Sequence, residues 1–495
     1  MAGFKLKKRT FSPNAPLLFC AGINLTLLNF LMVQHISVAL RQTEMAVLIF
    51  TLSFFSGISL GYILSDRVTS CHLERLMPAF LTLQMAALLF LQPLSYLLTR
   101  TIRETFHSLP YTFAEAGTYF CLYVLLTIGV TSFYAVFLPK IINTEGKSVR
   151  HCYSVEISGS LFALLLIPFL SRLPHTFFLA VYFLVFLAIA SLLNISVVRF
   201  YGMAALICFF LFRFDTWDKQ TSAWFYKRWY KRSGVEKVLY TRYSPYHKIE
   251  VAGLSKDRKM LLLNGKRQFS RGSHYTYSYF VAEYPARLLD SPKVLLLGCG
   301  SMSTVGRIGD FVPTIKIVDL DENVFSTSKR FFQKYNRLDE LSNWTFKADD
   351  AKHFLAANDE KFDLIMHDIP PARSRQTALT YTREFFSLVK GDLTDRGIFS
   401  ISSLSPFKSQ YSKRMMATLT TVFDDYFILK LGRSIYFYGG RGSHPSKFTE
   451  DFLKKAVRHR KKNRVQVYLK EAVDKMVEGA EIISVNNVGD LIFAK

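Results

Sequence analysis

The stretch KVLLLGCGS, at residues 293–301, decides the fold of the C-terminal half of this chain. Its apolar run is typical of a strand that is buried on both faces of a parallel sheet. The glycines Gly298 and Gly300 predict a tight turn whose backbone a ligand can approach closely. Four similar strands follow at intervals long enough for helices, at IKIVDLD (315–321), NWTFKADD (343–350), FDLIMHD (362–368) and GIFSISS (397–403). This alternation predicts a doubly wound α/β sheet.

Acidic side chains stand at the ends of three of these predicted strands: Asp319, Asp350 and Asp368. In doubly wound sheets, ligands bind beyond the carboxyl ends of the strands. Asp319 follows Gly300 by 19 residues, which is the spacing of a carboxylate that binds ribose hydroxyls. Capping of the following helix is the alternative role for each acid. Because the glycine turn itself contains no Lys or Arg, the pattern suits an adenosyl sulfonium cofactor as well as NAD.

The N-terminal part, residues 1–213, is more apolar than the rest. The chain has 495 residues, 50% of them hydrophobic, and a mean hydropathy of +0.17. A membrane-spanning helix needs about 20 mostly apolar residues. Seven stretches qualify, at 16–40, 45–65, 76–98, 118–142, 154–172, 176–194 and 196–213. Because the last contains Arg199 and is the weakest, we expect an α-helical transmembrane bundle of six or seven spans.

The distribution of basic residues between the predicted loops conflicts with seven spans. The N-terminal segment and every second loop after it hold ten Lys and Arg, whereas the opposite loops hold four. This bias predicts a cytoplasmic N-terminus. Seven spans would then place the second half outside, although its predicted nucleoside ligand is a cytosolic metabolite. Two interpretations remove the conflict: the seventh stretch lies in the membrane interface, or the N-terminus lies outside.

The chain carries 62 Lys and Arg against 38 Asp and Glu, a net charge of +24. Part of this excess lies in 214–234, where three tryptophans alternate with Lys and Arg. Such a stretch suits the lipid headgroup layer, so we interpret it as an interfacial aromatic–basic linker. The rival interpretation is nucleic-acid binding, and the position directly after a membrane segment argues against it. Residues 235–275 alternate short apolar runs with turns and predict a small β-strand subdomain.

Three further charged features each have two interpretations. Glu156 is the one carboxylate close to the predicted hydrocarbon, and it is either a functional intramembrane group or a charge at a helix N-terminus. His367 could act as a base, but alternation along a strand favours a side chain that faces away from Asp368. The basic run at 454–464 is either a contact to membrane lipid or a solvated face.

Six motifs in order, between Val238 and Ile401, resemble the polyamine aminopropyltransferase (spermidine synthase) family, specifically its bacterial branch with a fused N-terminal transmembrane domain. They are YSPYHKIEV, LLLNGKRQFS, LLLGCGS, IVDLDENV, ADDAKHFL and FDLIMHDIPPARSRQTALTYTREFF. The resemblance implies a Rossmann-like catalytic domain of the class I methyltransferase type at residues 276–495. It also implies a multi-pass protein of the bacterial inner membrane with a cytoplasmic catalytic domain, and it leaves a homo-oligomer open.

The resemblance implies transfer of an aminopropyl group from decarboxylated S-adenosylmethionine to a small amine, without a metal. Asp368 would be the general base that deprotonates the acceptor. The residues implied around the donor are Gln268, Gly298, Gly300, Ser301, Asp319, Asp350 and Ala351. The residues implied at the acceptor are Tyr246, Tyr277 and Tyr381.

Several positions depart from the family's pattern. Ser301 and Pro371 stand where the family has aspartates, and Tyr279 stands where it has a glutamate. Arg373 and Arg375 add positive charge to the loop after the base. A polyamine site depends on acid–ammonium pairs, so we expect a degenerate polyamine site and an amphiphilic or anionic acceptor. The alternatives are methyl or aminocarboxypropyl transfer from S-adenosylmethionine to a non-polyamine acceptor, and a non-catalytic nucleoside-binding membrane protein.

Overall fold

The computed structural model describes residues 15–40, 43–106, 111–145, 148–270, 275–372, 374–403, 409–432, 434–442 and 465–489. The chain divides into two compact units. The first comprises Met1–Asp257 and Leu262–Lys266, and the second comprises Arg258–Leu261 and Arg267–Lys495. The predicted basic run at 454–464 lies outside the described residues.

Helices make up most of the described part of the first unit. They are α1 (Ala15–Leu40), α2 (Thr43–Leu64), α3 (Ser70–Thr105), α4 (Tyr111–Thr118), α5 (Leu125–Ala135), α6 (Phe137–Glu145), α7 (Val149–Leu170), α8 (His175–Leu192) and α9 (Val197–Trp229). A π-helical segment, Tyr119–Val124, connects α4 to α5. Seven described stretches are long and apolar enough to cross a membrane, and each overlaps one of the seven predicted spans.

The seventh of these helices extends well beyond its predicted end near residue 213. α9 has 33 residues, which at about 1.5 Å per residue makes it about 50 Å long. Residues 203–233 contain neither Gly nor Pro, so nothing in the sequence interrupts the helical hydrogen bonds. The tryptophans Trp224 and Trp229 pack edge-on against Tyr96 of α3. Most of the aromatic–basic stretch is therefore helix, and its place at a membrane surface stays a prediction.

Contacts at the helix ends show that α1, α3 and α9 run in the same direction. Near their starts, Arg199 of α9 forms an ion pair with Glu74 of α3, at 2.9 Å. Near their ends, Tyr96 contacts the tryptophans of α9. Gln34, close to the end of α1, donates a hydrogen bond of 3.3 Å to the carbonyl oxygen of Ser244. We call this end of the bundle, marked by Gln34, Tyr96 and Trp229, the sheet end.

Helices α1 and α7 touch through their backbones. A Cβ atom added to Gly159 would lie 2.1 Å from the carbonyl oxygen of Phe19, and one added to Gly22 would lie 2.1 Å from that of Glu156. Small residues at such a crossing let two helices approach closely, as is common between membrane helices.

Replacing Gly159 by Ala should therefore lower the thermal unfolding midpoint of the purified protein. We expect a loss of about 1–3 kcal/mol, the usual cost of forcing a methyl group into a closed contact. Gly202→Ala is the matched control, because a Cβ atom added there has no neighbour within 4 Å. Equal midpoints for the two variants would contradict the close crossing.

Four strands follow α9 in the chain. They are β1 (Val235–Tyr243), β2 (Lys248–Leu254), β3 (Arg258–Leu263) and β4 (Lys266–Ser270). They are hydrogen-bonded in sequence order, and β1 pairs antiparallel with β2.

Six polar side chains of α9, β1 and β2 form a buried group in the first unit, here called the ion cluster: Asp218, Ser222, Tyr226, Tyr243, Lys248 and Glu250. None is more than 7% exposed. The Nζ atom of Lys248 lies 2.7 Å from Asp218 Oδ1 and 3.3 Å from Glu250 Oε1, and it donates to Ser222 Oγ at 2.9 Å. Tyr243 donates to Asp218 and Tyr226 donates to Glu250.

The two carboxylates of the ion cluster keep Lys248 charged. Burial alone opposes its positive charge, but Asp218 and Glu250 outweigh that effect and hold the pKa of Lys248 well above its usual value. The ion cluster therefore attaches β1 and β2 to the last helix of the bundle through compensated charges.

The second unit is built on an eight-stranded sheet in the order β12–β10–β11–β9–β8–β5–β6–β7. Its strands are β5 (Lys293–Gly298), β6 (Thr314–Asp319), β7 (Trp344–Ala348), β8 (Phe362–Asp368), β9 (Leu393–Ser403), β10 (Asp425–Leu431), β11 (Ser434–Gly440) and β12 (Val465–Leu469). Strands β5 to β9 are the five predicted ones and pair in parallel. The remaining three pair antiparallel and were not predicted.

Helices flank this sheet in the described part of the second unit. They are α10 (Tyr275–Ser278), α11 (Tyr284–Ala286), α12 (Val305–Ile308), α13 (Glu322–Phe332), α14 (Ala351–Ala356), α15 (Arg375–Leu379), α16 (Arg383–Asp392), α17 (Gln410–Thr420) and α18 (Lys470–Val477). Four side chains of β5, at residues 294–297, are fully buried, as expected for a strand covered on both faces. From β5 the chain runs to β6 and β7 on one side and then crosses back to β8 on the other side of β5. The position between β5 and β8 is therefore the topological switch point.

Candidate active site

The carboxyl ends of β5, β6 and β8 bring the predicted site residues of the second unit together. Gly298 is paired with Asp368 across β5 and β8. Val318 is paired with Leu297, so Asp319 follows directly beside the glycine turn. The two acids and the glycine turn therefore share the edge of the sheet at the switch point, where ligands bind in this architecture.

The glycine turn is held against both acids by its backbone. Gly298 has a φ of +85°, and a Cβ atom there would lie 2.7 Å from the carbonyl oxygen of Asp368. The N–H of Gly300 donates to Asp319 Oδ2 at 2.7 Å. Only glycine combines the left-handed backbone with this close approach.

Asp319 is not a helix cap. The cap of α13 is Asp321, whose side chain accepts a hydrogen bond of 3.0 Å from the N–H of Asn323. Asp319 instead accepts from Gly300 and, at 3.0 Å, from the N–H of Asp321. Its carboxylate is thus fixed by two backbone donors at the edge of the sheet, and its binding of ribose hydroxyls stays a prediction.

Asp350 has the alternative role. It caps α14 by accepting hydrogen bonds from the N–H groups of Lys352 and His353, at 2.9 and 3.2 Å, and Ala351 is the first residue of that helix. A capping carboxylate keeps free lone pairs, so binding of a nucleoside by Asp350 stays a prediction. The same holds for Gln268, which lies half-buried on β4.

The carboxylate of Asp368 ends β8 and is largely buried. Its Oδ1 accepts a hydrogen bond of 2.6 Å from the hydroxyl of Tyr277. Burial raises the pKa of Asp368 to about 6, and the hydrogen bond from Tyr277 offsets part of that rise. Burial also holds the pKa of Tyr277 well above its usual value, so its hydroxyl stays a donor. The result is a carboxylate that is ionised at neutral pH and more basic than an exposed one.

Cys299, a neighbour of Asp368, is not among the residues predicted for the site. It lies between the two site glycines with a φ of +73°, is 4% exposed, and its thiol is in the electrostatic field of Asp368. Burial raises the pKa of Cys299 to about 12, which keeps it a thiol. Its place between Gly298 and Gly300 was the one signal that could have identified it.

His367 faces away from the base, as its place in the strand predicts. Its Nε2 lies 3.1 Å from the carbonyl oxygen of Thr380, and its ring packs against Tyr381 and Phe385. Burial lowers its pKa to about 4. His367 is therefore a neutral core residue.

The other predicted acceptor residues occupy different settings. Tyr381 is buried and donates to the carbonyl oxygen of Ile369 at 3.0 Å, so it supports the loop after the base. Tyr246 is 45% exposed and belongs to the first unit, and its role at the acceptor stays a prediction.

Arg375 begins α15, whereas Arg373 lies outside the described residues. The hydroxyls of Ser301 and Ser303 lie 3.2 Å apart in the glycine turn.

Replacing Asp319 by Asn should weaken binding of 5′-methylthioadenosine about 10- to 100-fold, the cost of losing a hydrogen bond to a charged group. Titration calorimetry of the purified protein would measure it. Asp321→Asn is the matched control, because Asn caps a helix about as well as Asp. Unchanged affinity in the Asp319 variant would contradict a role in nucleoside binding.

Comparisons with known proteins agree with this geometry. Residues 275–430 match the family model described as the spermine/spermidine synthase domain. The chain is 27% identical over 249 residues to polyamine aminopropyltransferase 2 of Aquifex aeolicus, an alignment that covers 49% of each chain. It is 25% identical over 249 residues to the polyamine aminopropyltransferase of Saccharolobus solfataricus, which covers 47% of this chain and 81% of the relative. The chain thus spans about half the length of the Aquifex relative.

Solved structures are similar in the same region. One is a spermidine synthase in complex with the transition state analogue AdoDATO, with a TM-score of 0.41 at 18% identity, covering 53% of this chain and 90% of that one. Another is the spermidine synthase of Thermotoga maritima, with a TM-score of 0.39 at 18% identity, covering 53% and 89%. The sequence comparison locates the similarity: residues 275–430 of this chain match the spermine/spermidine synthase domain.

Proposed function

We propose that this chain transfers an aminopropyl group from decarboxylated S-adenosylmethionine to an amine, with Asp368 as the general base. The observation that supports this most directly is the position of Asp368, which lies at the switch point, largely buried and hydrogen-bonded to Tyr277. The relatives' names as polyamine aminopropyltransferases point to the same reaction class.

The reaction asks for alignment and for one proton transfer. The acceptor arrives as an ammonium ion, and the Asp368 carboxylate takes its proton. The neutral nitrogen then attacks the carbon next to the sulfonium, so that a C–N bond forms while the C–S bond breaks and its electron pair returns to sulfur. The products are the aminopropylated amine and methylthioadenosine. Because the sulfonium is already activated, holding donor and acceptor in line supplies most of the remaining acceleration.

The donor's nucleoside is assigned to the acids and glycines of the sheet edge. Asp319 would accept the ribose hydroxyls, while Asp350, Ala351 and Gln268 would contact the nucleobase side. Gly298 and Gly300 let the turn approach Asp368 and Asp319 closely, which holds the turn beside both acids.

A second candidate is supported by the serines of the turn. With the hydroxyls of Ser301 and Ser303 in place of an acid, the turn can donate hydrogen bonds to a carboxylate. Ordinary S-adenosylmethionine, which keeps its carboxylate, would then be admitted, for methyl or aminocarboxypropyl transfer to a non-polyamine acceptor.

One experiment separates these functions. The protein, purified in detergent, is incubated with either donor and a mixture of amines, and the products are identified by mass. Methylthioadenosine with an aminopropylated amine, both lost in Asp368→Asn, supports the first function. S-adenosylhomocysteine indicates methyl transfer, and methylthioadenosine formed from S-adenosylmethionine indicates aminocarboxypropyl transfer. Donor binding without turnover would leave a nucleoside-binding protein.

We also propose that the bundle spans the bacterial inner membrane, with the sheet end in the cytoplasm. Seven described helices support this by length and composition. Because α1 and α9 run in the same direction, seven crossings would place the start of α1 outside. This is the topology in which the N-terminus lies outside. It runs against the distribution of Lys and Arg between the loops, which favours a cytoplasmic N-terminus.

Cysteine labelling in intact cells should show this topology. Ser148 and Arg172 are exposed at the two ends of α7, so Ser148→Cys should react with a membrane-impermeant maleimide and Arg172→Cys should not. Both variants are made after replacing the native cysteines. The reverse pattern would place the sheet end outside.

A further inference from the structure

The carboxylate of Glu156 is buried in the helix bundle without compensation. It is 8% exposed, and among the described residues it has no hydrogen-bond or ion-pair partner. It is the eighth residue of α7, beyond the first turn in which a helix N-terminus stabilises negative charge. The N-terminal-charge interpretation of Glu156 therefore does not account for its position. A charge buried without a partner is costly and marks a functional candidate in a membrane helix.

The helix crossing fixes this carboxylate in place. The backbone oxygen of Glu156 lies against Gly22 of α1, and Gly159, one turn later, lies against Phe19. Since the two backbones touch, α7 cannot rotate at this level to move the side chain out of the bundle. The depth is about 10 Å from the start of α7, at about 1.5 Å per residue.

Two tyrosines share the electrostatic environment of Glu156. Tyr153 lies one turn before Glu156 on α7, and both act electrostatically on Tyr62 of α2. Both tyrosines are partly exposed, at 39% and 52%. Aromatic rings attract cations through their faces, and phenol oxygens accept hydrogen bonds from them.

This set of groups suits an ammonium ion better than a metal ion. Hard metal ions take six or more oxygen ligands, and the described residues contain no group of three or more His, Cys, Asp and Glu side chains that could hold a metal. An ammonium group is satisfied by one carboxylate with aromatic faces beside it.

We propose that Glu156, with Tyr62 and Tyr153, forms an intramembrane binding site for the ammonium group of a primary amine. The site rests on the proposed membrane position of α7 and is independent of the transferase reaction at Asp368. The helix bundle would then bind amines in addition to anchoring the transferase.

Binding of radiolabelled putrescine to the full-length protein in lipid nanodiscs tests this site, with n-butylamine as a single-ammonium competitor. All variants carry Asp368→Asn, which removes the carboxylate of the transferase site. We expect this chain to bind about one amine per protein and the added Glu156→Gln to weaken binding at least tenfold, as expected for loss of an acid–ammonium pair. Glu156→Asp should retain part of the affinity. Ser158→Ala, on the same helix, should have no effect.

Gln is isosteric with Glu and removes an unpaired charge, so the variant should fold; its elution volume and thermal midpoint confirm this. Equal binding by the Gln variant and its parent would overturn the proposal. Absence of amine binding by the parent would also overturn the proposal. Glu156 would then be a protonated carboxyl with a structural role. Neither result bears on transfer at Asp368, which the product assay tests separately.

Discussion

Replacing Asp368 by Asn should lower kcat of the proposed aminopropyl transfer about 100- to 10,000-fold, the usual contribution of a general base. The amide has nearly the same shape and still accepts the hydrogen bond from Tyr277, so the affinity for methylthioadenosine should change little. A large fall in kcat with an unchanged nucleoside affinity would identify Asp368 as the base.

The pH profile provides an independent test. Burial raises the pKa of Asp368 to about 6, and only the ionised form accepts a proton. The rate should therefore rise with pH through about 6 and level off above it. Tyr277→Phe removes a hydrogen bond that favours the carboxylate, so the acid limb should move to higher pH.

The same raised pKa makes a prediction about stability. Because the folded pKa exceeds the unfolded one, the folded state holds its proton more tightly, and ionisation destabilises it as the pH rises from about 4 to about 6. Asp368→Asn should therefore be at least as stable as the parent at neutral pH. Asp359→Asn, at an exposed position, is the control that should keep full activity. A variant of Asp368 that retains normal kcat would exclude the carboxylate as the base.

Replacing Lys248 by Met should destabilise the first unit by about 3–5 kcal/mol, the cost of removing one partner from a buried ion pair. Without the ammonium, Asp218 and Glu250 remain as two buried carboxylates with no cation between them. Thermal unfolding in detergent, followed by the midpoint and the fraction of monodisperse protein, would measure the loss.

A neutral combination should restore much of that stability. The triple variant Asp218→Asn, Lys248→Met, Glu250→Gln removes all three charges together, and buried ion pairs replaced as a group often cost little. Lys237→Met, at an exposed position on β1, is the single-site control. If Lys248→Met unfolds at the same temperature as Lys237→Met, the ion cluster contributes nothing to stability.

The five parallel strands of the second unit and the residues at their ends were predictable. The apolar runs and the intervals between them are enough to identify these strands. The five predicted runs are β5 to β9, and a carboxylate at the last residue of a parallel strand, such as Asp319 or Asp368, lies at the carboxyl edge of the sheet. The role of each acid was less predictable. Asp319 and Asp350 look alike in the sequence, yet only Asp350 caps a helix, because Asp serves both purposes equally well.

The end of α9 and the ion cluster were not predictable for different reasons. At residue 214 the composition changes from apolar to aromatic and basic, but hydrogen bonding along the helix does not depend on composition, and α9 continues to Trp229. From the sequence alone we would place Asp218, Lys248 and Glu250 at the surface, because Asp, Lys and Glu side chains are rarely buried. They become partners only through a contact that joins positions 30 residues apart.

The ion cluster has a practical consequence for any attempt to prepare the second unit without the helices of the first. Cutting the chain after residue 234, directly before β1, would remove Asp218, Ser222 and Tyr226. Lys248 and Glu250 would then lose these partners and lie on a newly exposed face of the sheet. A soluble version should therefore either keep the second half of α9 or carry redesigned polar residues on β1 and β2.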